Sequence, residues 1–357
     1  MSKRIGVLTS GGDCAGLNAV LRAVVRRVCA GGGEVVGIRD GIDGLRARPI
    51  AAAPLRPADV ECDGAGGIGQ GGTWLGTSNS GDPARDPSAQ ARIRAAYGEL
   101  GLDALIGVGG DGSLRLLRGH ASAAGWRLIG VPKTIDNDVA GTDLAVGHAS
   151  AVAAATDALD RLRTTAESHG RVMVLEVMGR DTGHIALASG IAGGADAILI
   201  PEIPPDLNAV AGDIAARHRH GHRGSLVVVA EGVPDPAGAA VRRRDPGGGA
   251  HYGGIGERVG RAIAAATAAE VRVTVLGHLQ RGGPPVAEDR LLASVLGVAA
   301  AERALGEDGD CMVGWRNRAP CGVPLGQVAG RLRRVDPADA RVAAARGLGM
   351  TFGEGGA

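Results

Sequence analysis

Two polar clusters near the middle of the chain carry residue types suited to phosphate chemistry. The first, Gly109-Gly-Asp-Gly-Ser113, follows the apolar run Ala104 to Val108, and the second, Lys133-Thr-Ile-Asp-Asn-Asp138, follows Leu128 to Val131. Apolar runs that stop abruptly at polar residues are typical of buried parallel strands, whose carboxyl ends present functional groups at one edge of a sheet. We therefore expect the two clusters to face each other.

The chemistry of these clusters indicates phosphoryl transfer to an alcohol. Glycines such as Gly112 let the backbone approach a phosphate, and the N–H groups at the start of the following helix can bind that anion. Asp111 suits Mg²⁺, which takes few carboxylates alongside phosphate oxygens and water. Asp136 or Asp138 can accept a hydroxyl proton, while Lys133 stabilises charge on the transferred group.

Either cluster alone has an ordinary structural explanation. Gly-Gly-Asp-Gly also forms plain strand-to-helix turns, and Asp-Asn-Asp also forms solvated loops. The two together, each after an apolar strand, favour function. Lys133 adds to this because the chain has only two lysines, Lys3 and Lys133, among basic residues that are otherwise arginine. A chance surface lysine is the alternative, but its compact charge on a mobile stem suits a functional position.

Composition restricts the class of protein. The chain has 357 residues, enough for one large domain or two interleaved ones, and its formal net charge of +1 offers no basic surface for nucleic acid or an anionic membrane. No apolar stretch reaches the roughly 18 residues of a membrane span, and the amino end shows no signal-peptide pattern, so we expect a cytoplasmic protein. The five cysteines are widely spaced and are interpreted as reduced, mostly structural thiols.

A glycine turn also ends the first predicted strand. Ile5 to Thr9 stops at Ser10-Gly-Gly-Asp13, where Gly11 is predicted to make the closest backbone approach to a phosphate. The glycine-dense stretch Gly64 to Asp82 is either a mobile linker or a ligand-facing loop. Its position ahead of a helix predicted at Pro87 to Leu100 favours the ligand-facing loop.

Three later strand ends carry groups suited to a phosphorylated sugar. Arg180 can contact a phosphoryl group in its transition state, and Glu231 suits sugar hydroxyls. Arg272, His278 and Arg281 together suit a phosphate monoester. The strands concerned are predicted at Val172 to Val177, Ser225 to Ala230 and Val271 to Leu276.

The alternation of predicted strands and helices, with charged clusters at the strand ends, predicts an α/β fold with mostly parallel sheets. The breadth of the site predicts two lobes around a cleft. Asp235 to His251 is rich in Pro, Gly and Arg and is predicted to be a surface loop. After a short strand near Met312 the tail is weakly patterned.

Five motifs follow one another along the chain. They are Ile5-Gly-Val-Leu-Thr-Ser-Gly-Gly-Asp13, Gly109-Gly-Asp-Gly-Ser113, Pro132-Lys-Thr-Ile-Asp-Asn-Asp138, Glu176-Val-Met-Gly-Arg180 and Val275-Leu-Gly-His-Leu-Gln-Arg-Gly-Gly283. In this order they make the chain resemble the 6-phosphofructokinase family. The resemblance covers roughly residues 4 to 300 and implies two interleaved Rossmann-like lobes. Residues 1–138 with 253–305 would form a larger phosphate-donor lobe, 139–252 a smaller fructose 6-phosphate lobe, and 306–357 a C-terminal segment.

The resemblance also implies an activity and a role for each site residue. The enzyme would phosphorylate the 1-hydroxyl of fructose 6-phosphate with Mg²⁺, as a homo-oligomer, usually a tetramer, with active sites shared between subunits. Asp136 would take the hydroxyl proton beside Thr134 and Asp138, Arg180 would stabilise the transferring group, and Asp111 would serve Mg²⁺. The phosphate donor would meet Gly11, Gly112 and Ser113. The sugar phosphate would meet Met178, Gly179, Glu231, His278 and Arg281, with Arg171 and Arg272 from a neighbouring subunit.

The identity of the phosphate donor is left open. Within the resemblance Gly112 goes with ATP and Lys133 typically goes with pyrophosphate, while Asn79 stands where bacterial ATP enzymes carry an arginine that contacts nucleotide phosphates. A carboxylate at position 112 would repel and crowd an α-phosphate, so its absence leaves room for ATP. We therefore favour ATP over pyrophosphate, and a non-catalytic nucleotide or sugar-phosphate sensor is the third hypothesis.

Overall fold

The computed structural model describes residues 2–61, 67–79, 86–235, 238–244, 250–267 and 269–354. The strands within these ranges are β1 (Arg4–Ser10), β2 (Glu34–Ile38), β3 (Ala52–Leu55), β4 (Ala104–Gly109), β5 (Leu128–Pro132), β6 (Val172–Val177), β7 (Ala197–Leu199), β8 (Ser225–Ala230), β9 (Arg242–Arg244), β10 (Ala250–Tyr252), β11 (Val271–Val275), β12 (Cys311–Arg316) and β13 (Ala319–Pro324). The helices are α1 (Leu17–Ala30), α2 (Ile42–Arg46), α3 (Pro87–Glu99), α4 (Asp111–Ala124), α5 (His148–His169), α6 (His184–Ala192), α7 (Leu207–Arg219), α8 (Ile255–Thr267), α9 (Ala287–Leu305), α10 (Leu325–Val328) and α11 (Ala340–Gly347).

The chain divides into two compact units, of which the larger comprises Met1–Ser150 and Arg281–Arg333. Its sheet has seven strands in the order β13-β12-β5-β4-β1-β2-β3. The five inner strands run parallel, whereas β3 and β13 at the two edges run antiparallel to their neighbours. Helices α1 and α9 pack against each other beside this sheet. An α/β unit with a mostly parallel sheet results, as the sequence predicts.

The smaller unit comprises Ala151–Gln280 and Arg334–Ala357. Its sheet contains four parallel strands in the order β11-β6-β8-β7. The two central strands, β6 and β8, are buried along their whole length, which is why both read as continuous apolar runs in the sequence. Thr351, near the carboxyl end of the described chain, adds a parallel bridge to Ala197 in β7.

The bounds of the two units differ from the lobes drawn on the sequence. Residues 139–150 belong to the larger unit and residues 253–280 to the smaller one, although the sequence assigns them the other way round. Residues 306–333 complete the larger unit, and residues 334–357 complete the smaller one. The C-terminal segment is therefore divided between the two units.

Two segments contain structure that the sequence does not predict. Asp235 to His251, predicted as a surface loop, contains β9 and β10, which pair antiparallel. The weakly patterned tail contains β13, which pairs with β12 at the edge of the seven-stranded sheet. Both prediction errors concern short antiparallel pairs, whose stability depends on the partner strand more than on local pattern. Residues 236–237 and 245–249 of the first segment, and 64–66 and 80–82 of the glycine-dense stretch, lie outside the described residues.

The cysteines that the structure describes are free thiols, in agreement with the expectation from the sequence. Cys14, Cys29, Cys311 and Cys321 are free thiols, while Cys62 lies outside the described residues. Burial raises the pKa of Cys14 to about 12, so that thiol is held in its unreactive protonated form. Of the helices that the structure describes, none combines the length and the apolar character needed to cross a membrane.

A buried carboxylate of the larger unit holds the residues at the start of α5. Asp289, in α9, is fully buried and accepts hydrogen bonds from the Gly147 N–H at 2.9 Å, the Ser150 N–H at 2.7 Å and the Ser150 hydroxyl at 2.6 Å. The backbone donors lie at the start of α5, where N–H groups have no partner within the helix. Burial raises the pKa of Asp289, and the three hydrogen bonds oppose that effect by favouring the charged form.

We expect Asp289→Ala to lower the free energy of unfolding by about 2–4 kcal/mol, because it leaves three buried donors without their acceptor. The measurement is the midpoint of urea unfolding, followed by circular dichroism. Glu288→Ala, which removes an exposed carboxylate from the adjacent position of α9, is the matched control and should leave the midpoint unchanged. A shift for Asp289→Ala no larger than that of the control would contradict this account.

Candidate functional site

Three parallel strands of the larger unit end at the same level. In the sheet register Ser10 of β1 pairs with Gly109 of β4, and Gly109 pairs with Pro132 of β5. The turns that follow these strands therefore start from one edge of the sheet. The Gly109–Ser113 and Lys133–Asp138 clusters, which the sequence predicts to face each other, therefore begin at the same level of two neighbouring strands.

Gly11 lies at the centre of this edge. Its φ of 84° falls in the left-handed region, which glycine adopts without strain. A Cβ at this position would lie 2.7 Å from Ser113 Oγ, 3.7 Å from Lys133 Nζ and 3.9 Å from Asn79 Oδ1. Four residues singled out from the sequence therefore surround one small volume. The Gly11 N–H also donates to Ser78 O at 3.1 Å, which fixes the neighbouring loop.

Helix α4 points its amino end at the same edge. Asp111, Gly112 and Ser113 are its first three residues, and the N–H groups at such positions have no partner within the helix. A Cβ added to Gly112 would meet no atom within 4 Å, so this position faces open space. An anion can therefore approach the helix without displacing a side chain.

Asp111 is the candidate ligand for a magnesium ion. One of its oxygens, Oδ1, accepts a hydrogen bond from the Gly330 N–H at 2.6 Å, which orients the carboxylate. Over the residues that the structure describes, no group of three or more His, Cys, Asp or Glu side chains could hold a metal ion. A single carboxylate fits Mg²⁺ only where phosphate and water supply the other ligands, as is usual for Mg²⁺ at phosphate sites.

Lys133 is buried, with 3% of its surface exposed, and its ammonium contacts the backbone. Nζ donates hydrogen bonds to Ser10 O at 3.1 Å and to Gly12 O. A buried ammonium needs such partners to offset the loss of water. Because both carbonyls belong to the glycine turn after β1, Lys133 holds this turn in shape as well as bringing positive charge close to Gly11.

Asp136 and Asp138 lie in a loop that doubles back along β5. They are 4% and 9% exposed, respectively. The Asp136 N–H donates to Thr134 Oγ1 at 3.1 Å, and the Thr134 N–H donates to Val146 O at 3.1 Å. Thr134 thus shapes the turn in front of Asp136. The larger unit brings together most of its predicted site residues, namely Gly11, Asn79, Asp111, Gly112, Ser113, Lys133, Thr134, Asp136 and Asp138.

Three adjacent strands of the smaller unit also end together. In the order β11-β6-β8, Val275 pairs with Glu176 and Val177 pairs with Ala230. The residues that follow are the turn of Met178, Gly179 and Arg180, the carboxylate Glu231, and a short 3₁₀ turn that carries His278. These five predicted site residues therefore lie at one edge of the four-stranded sheet.

Glu231 holds the Arg180 turn through its carboxylate. The Arg180 N–H donates to Glu231 Oε1 at 3.1 Å, and Arg180 itself adopts a left-handed φ of 50°. Burial raises the pKa of Glu231, while hydrogen bonds from the Arg180 and Gly179 backbone act in the opposite direction. A carboxylate that is ionised and partly buried is a strong acceptor for hydroxyl groups.

Three residues that the sequence reasoning missed also hold this turn. Gln280 Oε1 accepts from the Met178 N–H at 2.8 Å, and Arg334 Nη1 donates to Asp181 O at 2.9 Å. The Tyr252 hydroxyl donates to Asp181 Oδ1 at 2.6 Å. Gln280 lies within a recognised motif, but its contact is with a residue 102 positions away. No local signal in the sequence identifies any of the three.

Arg171 and Arg272 lie at the amino ends of the strands of the four-stranded sheet, opposite the carboxyl ends that carry the Met178 turn. Arg171 precedes β6 and Arg272 is the second residue of β11, so both are at the amino ends of their strands. They are joined through Glu270, which accepts from Arg171 Nε at 2.5 Å and from Arg272 Nη2. Met178 lies seven positions after Arg171, roughly 23 Å along an extended chain. The chain does not bring these arginines to its own Met178 turn.

Arg281 belongs to the larger unit, whereas His278 belongs to the smaller one. Arg281 Nη1 donates to Asp13 O at 2.9 Å, and the same guanidinium packs on Gly12. The structure therefore groups Arg281 with the glycine turn after β1.

Comparisons of the sequence with known proteins identify the family of the chain. Residues 4–304 match the protein family described as Phosphofructokinase. The ATP-dependent 6-phosphofructokinase 1 of Synechocystis sp. is 49% identical over 98% of this chain and 98% of its own length. A pyrophosphate–fructose 6-phosphate 1-phosphotransferase of Amycolatopsis methanolica is 44% identical over 94% of this chain and 96% of its own length.

A solved structure extends the similarity to the fold. The crystal structure of Pichia pastoris phosphofructokinase in the T-state superposes with a TM-score of 0.80 at 31% sequence identity. The match covers 98% of this chain and 37% of that chain, so the protein spans little more than a third of the length of the yeast chain. From the family match and the curated relatives, the chain belongs to the phosphofructokinase family.

Proposed function

We propose that the protein transfers the γ-phosphoryl group of ATP to the 1-hydroxyl of fructose 6-phosphate, a step of glycolysis that yields fructose 1,6-bisphosphate and ADP. The observation that carries this proposal is the grouping of Gly11, Ser113, Asn79 and Lys133 around one volume at aligned strand ends. A buried acidic loop, Lys133–Asp138, starts from the same edge. The name of the Synechocystis relative, which is similar along its whole length, supports both the donor and the acceptor.

Asp136 acts as the general base. Its carboxylate accepts the proton of the 1-hydroxyl as the oxygen bonds to the γ-phosphorus, and the bond from that phosphorus to the bridging oxygen of ADP breaks. The turn formed by Thr134 and the burial of the loop restrict the orientation of this carboxylate. Asp138 lies two residues further along the same loop and adds to its negative field.

Several groups of the site stabilise the negative charge on the phosphates of the donor. The amino end of α4 supplies backbone N–H donors, and Lys133 holds the turn at Gly11 while adding a nearby positive charge. Arg180 stabilises the transferring group. Asp111 would hold Mg²⁺, which when bound neutralises phosphate charge.

The sugar phosphate binds at Met178, Gly179, Glu231, His278 and Arg281. Glu231 in its ionised form accepts hydrogen bonds from sugar hydroxyls, and the side chains of His278 and Arg281 suit the 6-phosphate. Arg171 and Arg272 contribute from a neighbouring subunit in a homo-oligomer, with a homotetramer as the expected assembly. Their position at the far edge of the sheet from Met178 supports a role in another subunit's site.

Pyrophosphate is the competing donor, favoured by Lys133 and by the name of the Amycolatopsis relative. Of two observations that bear on the donor, the first is neutral and the second weighs for ATP. Lys133 Nζ is directed to two backbone carbonyls, a role that serves either donor. Position 112 faces open space, as a donor with an α-phosphate requires.

The test of the function is formation of fructose 1,6-bisphosphate from fructose 6-phosphate and Mg²⁺, with ATP and pyrophosphate in separate reactions. We expect turnover with ATP. Gly112→Asp should fold normally because its side chain enters open space, yet it should lower kcat/KM for ATP by about tenfold or more, since a carboxylate repels the α-phosphate. Gly119→Asp, also at a helical glycine with open space around it, is the matched control.

Other outcomes have defined meanings. Turnover with pyrophosphate and none with ATP would show that pyrophosphate is the phosphate donor. Binding of nucleotide or sugar phosphate without turnover would favour the sensor hypothesis. Absence of product with every donor would refute the proposed activity.

The raised pKa of Glu231 predicts a pH dependence of sugar binding. Because its ionised form accepts the hydroxyls, KM for fructose 6-phosphate should rise as the pH falls, starting at a higher pH than for an ordinary glutamate. Glu231→Gln should raise KM at neutral pH and remove this part of the acid dependence. The substrate phosphate also titrates, near pH 6, but this affects the wild type and Glu231→Gln equally. The difference between their profiles of KM against pH therefore isolates the contribution of Glu231. Parallel profiles would contradict the assignment.

Sharing of active sites predicts complementation between inactive variants. Asp136→Ala and Arg272→Ala should each be nearly inactive alone. Unfolded together and refolded as mixed oligomers, they should recover up to about a quarter of wild-type activity, because some sites combine an intact Asp136 with an intact Arg272 from the other chain. Activity of the mixture that stays at the level of the separate variants would indicate sites formed within single chains.

A further inference from the structure

The segment Gly330–Arg333, here called the strap, follows α10 and lies against the catalytic loops of the larger unit. Its first residue, Gly330, donates its N–H to Asp111 Oδ1 at 2.6 Å. Leu332 pairs antiparallel with Val139, just beyond Asp138. The strap therefore contacts the segments that carry both the candidate metal ligand and the candidate base, although no sequence pattern predicts a role for it.

Arg333 makes the most extensive of these contacts. Its N–H donates to Asp138 O at 2.7 Å, and its guanidinium Nη2 donates to Asn137 O at 2.7 Å and to Asp143 O at 3.1 Å. One residue thus binds three carbonyl oxygens of the loop that contains Asp136. The two guanidinium contacts are charge-assisted, which makes them stronger than ordinary backbone hydrogen bonds.

The loop needs this support because Asn137 adopts a left-handed conformation, with φ of 53°. That conformation is unfavourable for residues with a side chain, although asparagine adopts it more readily than most. The Asn137 amide opposes the cost by donating to Asp143 O at 3.2 Å and accepting from the Ala145 N–H at 2.9 Å. Asp143 O is therefore shared by Asn137 and Arg333, which together lock the turn between Asp136 and Asp138.

Rotation of the Asn137 peptide would move the carboxylates on either side of it. A base must lie within hydrogen-bond reach of the proton it removes, and a displacement of about 1 Å can cost on the order of 100-fold in rate. Arginine suits this task because its planar guanidinium spans two carbonyls in a fixed geometry, whereas a lysine offers a single point of charge.

We propose that Arg333 is a positioning residue for phosphoryl transfer. Through Asn137 O and Asp143 O, its guanidinium holds the Asp136 loop in the conformation in which the carboxylate accepts the hydroxyl proton. Through these contacts Arg333 acts on the backbone of the loop. This inference rests on the proposed function and assigns a part in it to the segment after α10.

The experiment compares the steady-state kinetics of Arg333→Ala, Arg333→Lys and Arg331→Ala with those of the wild type. Arg331 is an exposed arginine of the same strap and is the matched control. We expect Arg333→Ala to lower kcat by about tenfold or more, with KM for both substrates within about twofold, because binding groups remain and the base is misplaced. Arg333→Lys should retain an intermediate kcat, and Arg331→Ala should match the wild type.

Chemical rescue separates positioning from general structural damage. Guanidinium chloride at millimolar, non-denaturing concentration should raise the kcat of Arg333→Ala and leave Arg331→Ala unchanged. Equal kcat values for Arg333→Ala and Arg331→Ala would overturn the proposal, as would a loss of activity that appears in KM and is not rescued. If Arg333→Ala does not fold, Arg333→Lys is compared with the wild type in the same way.

Hydrogen exchange tests the inference without relying on turnover. Amides of residues 135–146, including the Ala145 N–H held by Asn137, should exchange faster in Arg333→Ala than in Arg331→Ala. Unchanged exchange would refute the positioning role. A wild-type protein that fails to phosphorylate fructose 6-phosphate while Arg333→Ala loosens the loop would refute the proposed function alone.

Discussion

The candidate site of the larger unit depends on the register of three parallel strands. Ser10, Gly109 and Pro132 lie at one level because β1, β4 and β5 pair in this register. All three are buried, mostly apolar strands, and their burial favours one register over others. A slip of one residue would move a turn by roughly 3.3 Å and invert the faces of the strand. The hydrogen bonds from Lys133 to the turn after β1 would then be lost.

Charged side chains that bind the backbone fix the turns beyond these strands. Lys133 holds the carbonyls of Ser10 and Gly12, Asp289 holds the start of α5, and Glu231 holds the N–H of Arg180. Turns without regular secondary structure must satisfy their backbone groups in some other way. Charge-assisted bonds do so strongly, since a buried partner that is lost costs more than an ordinary hydrogen bond. Ionic side chains thus orient the turns of the candidate site, and two of them, Lys133 and Glu231, are themselves candidate site residues.

The sequence predicts the elements with strong local signals and misses those defined by distant partners. Val172–Val177 and Ser225–Ala230 have the predicted bounds, because each is a continuous apolar run that ends at clear polar or glycine signals. β3 contains a proline in four residues, and β13 forms only by pairing with β12. Their signals come from the partner strand, so the local sequence does not reveal them.

The same distinction applies to the site. Strand-end clusters such as Gly109–Ser113 are visible because their residue types and order are local. The contact of Arg333 with Asn137 joins residues 196 positions apart, and that of Tyr252 with Asp181 joins residues 71 apart. In a chain with many arginines, nothing in the neighbourhood of Arg333 distinguishes it from Arg331 or Arg334. Arg333 differs from these neighbours because the folded backbone places carbonyl oxygens around its guanidinium.

The discontinuous units have a consequence for biosynthesis. The larger unit receives β12, β13 and Arg333 only after residues 151–280 have been made. At about 5–20 residues per second, translation from Ser150 to Arg333 takes roughly 10–40 seconds. During that interval the apolar edge of β5 has no neighbouring strand, and such an edge is prone to aggregate. The nascent chain therefore depends on protection of this edge, and the loop carrying Asp136 acquires its final shape late, when Arg333 has left the ribosome.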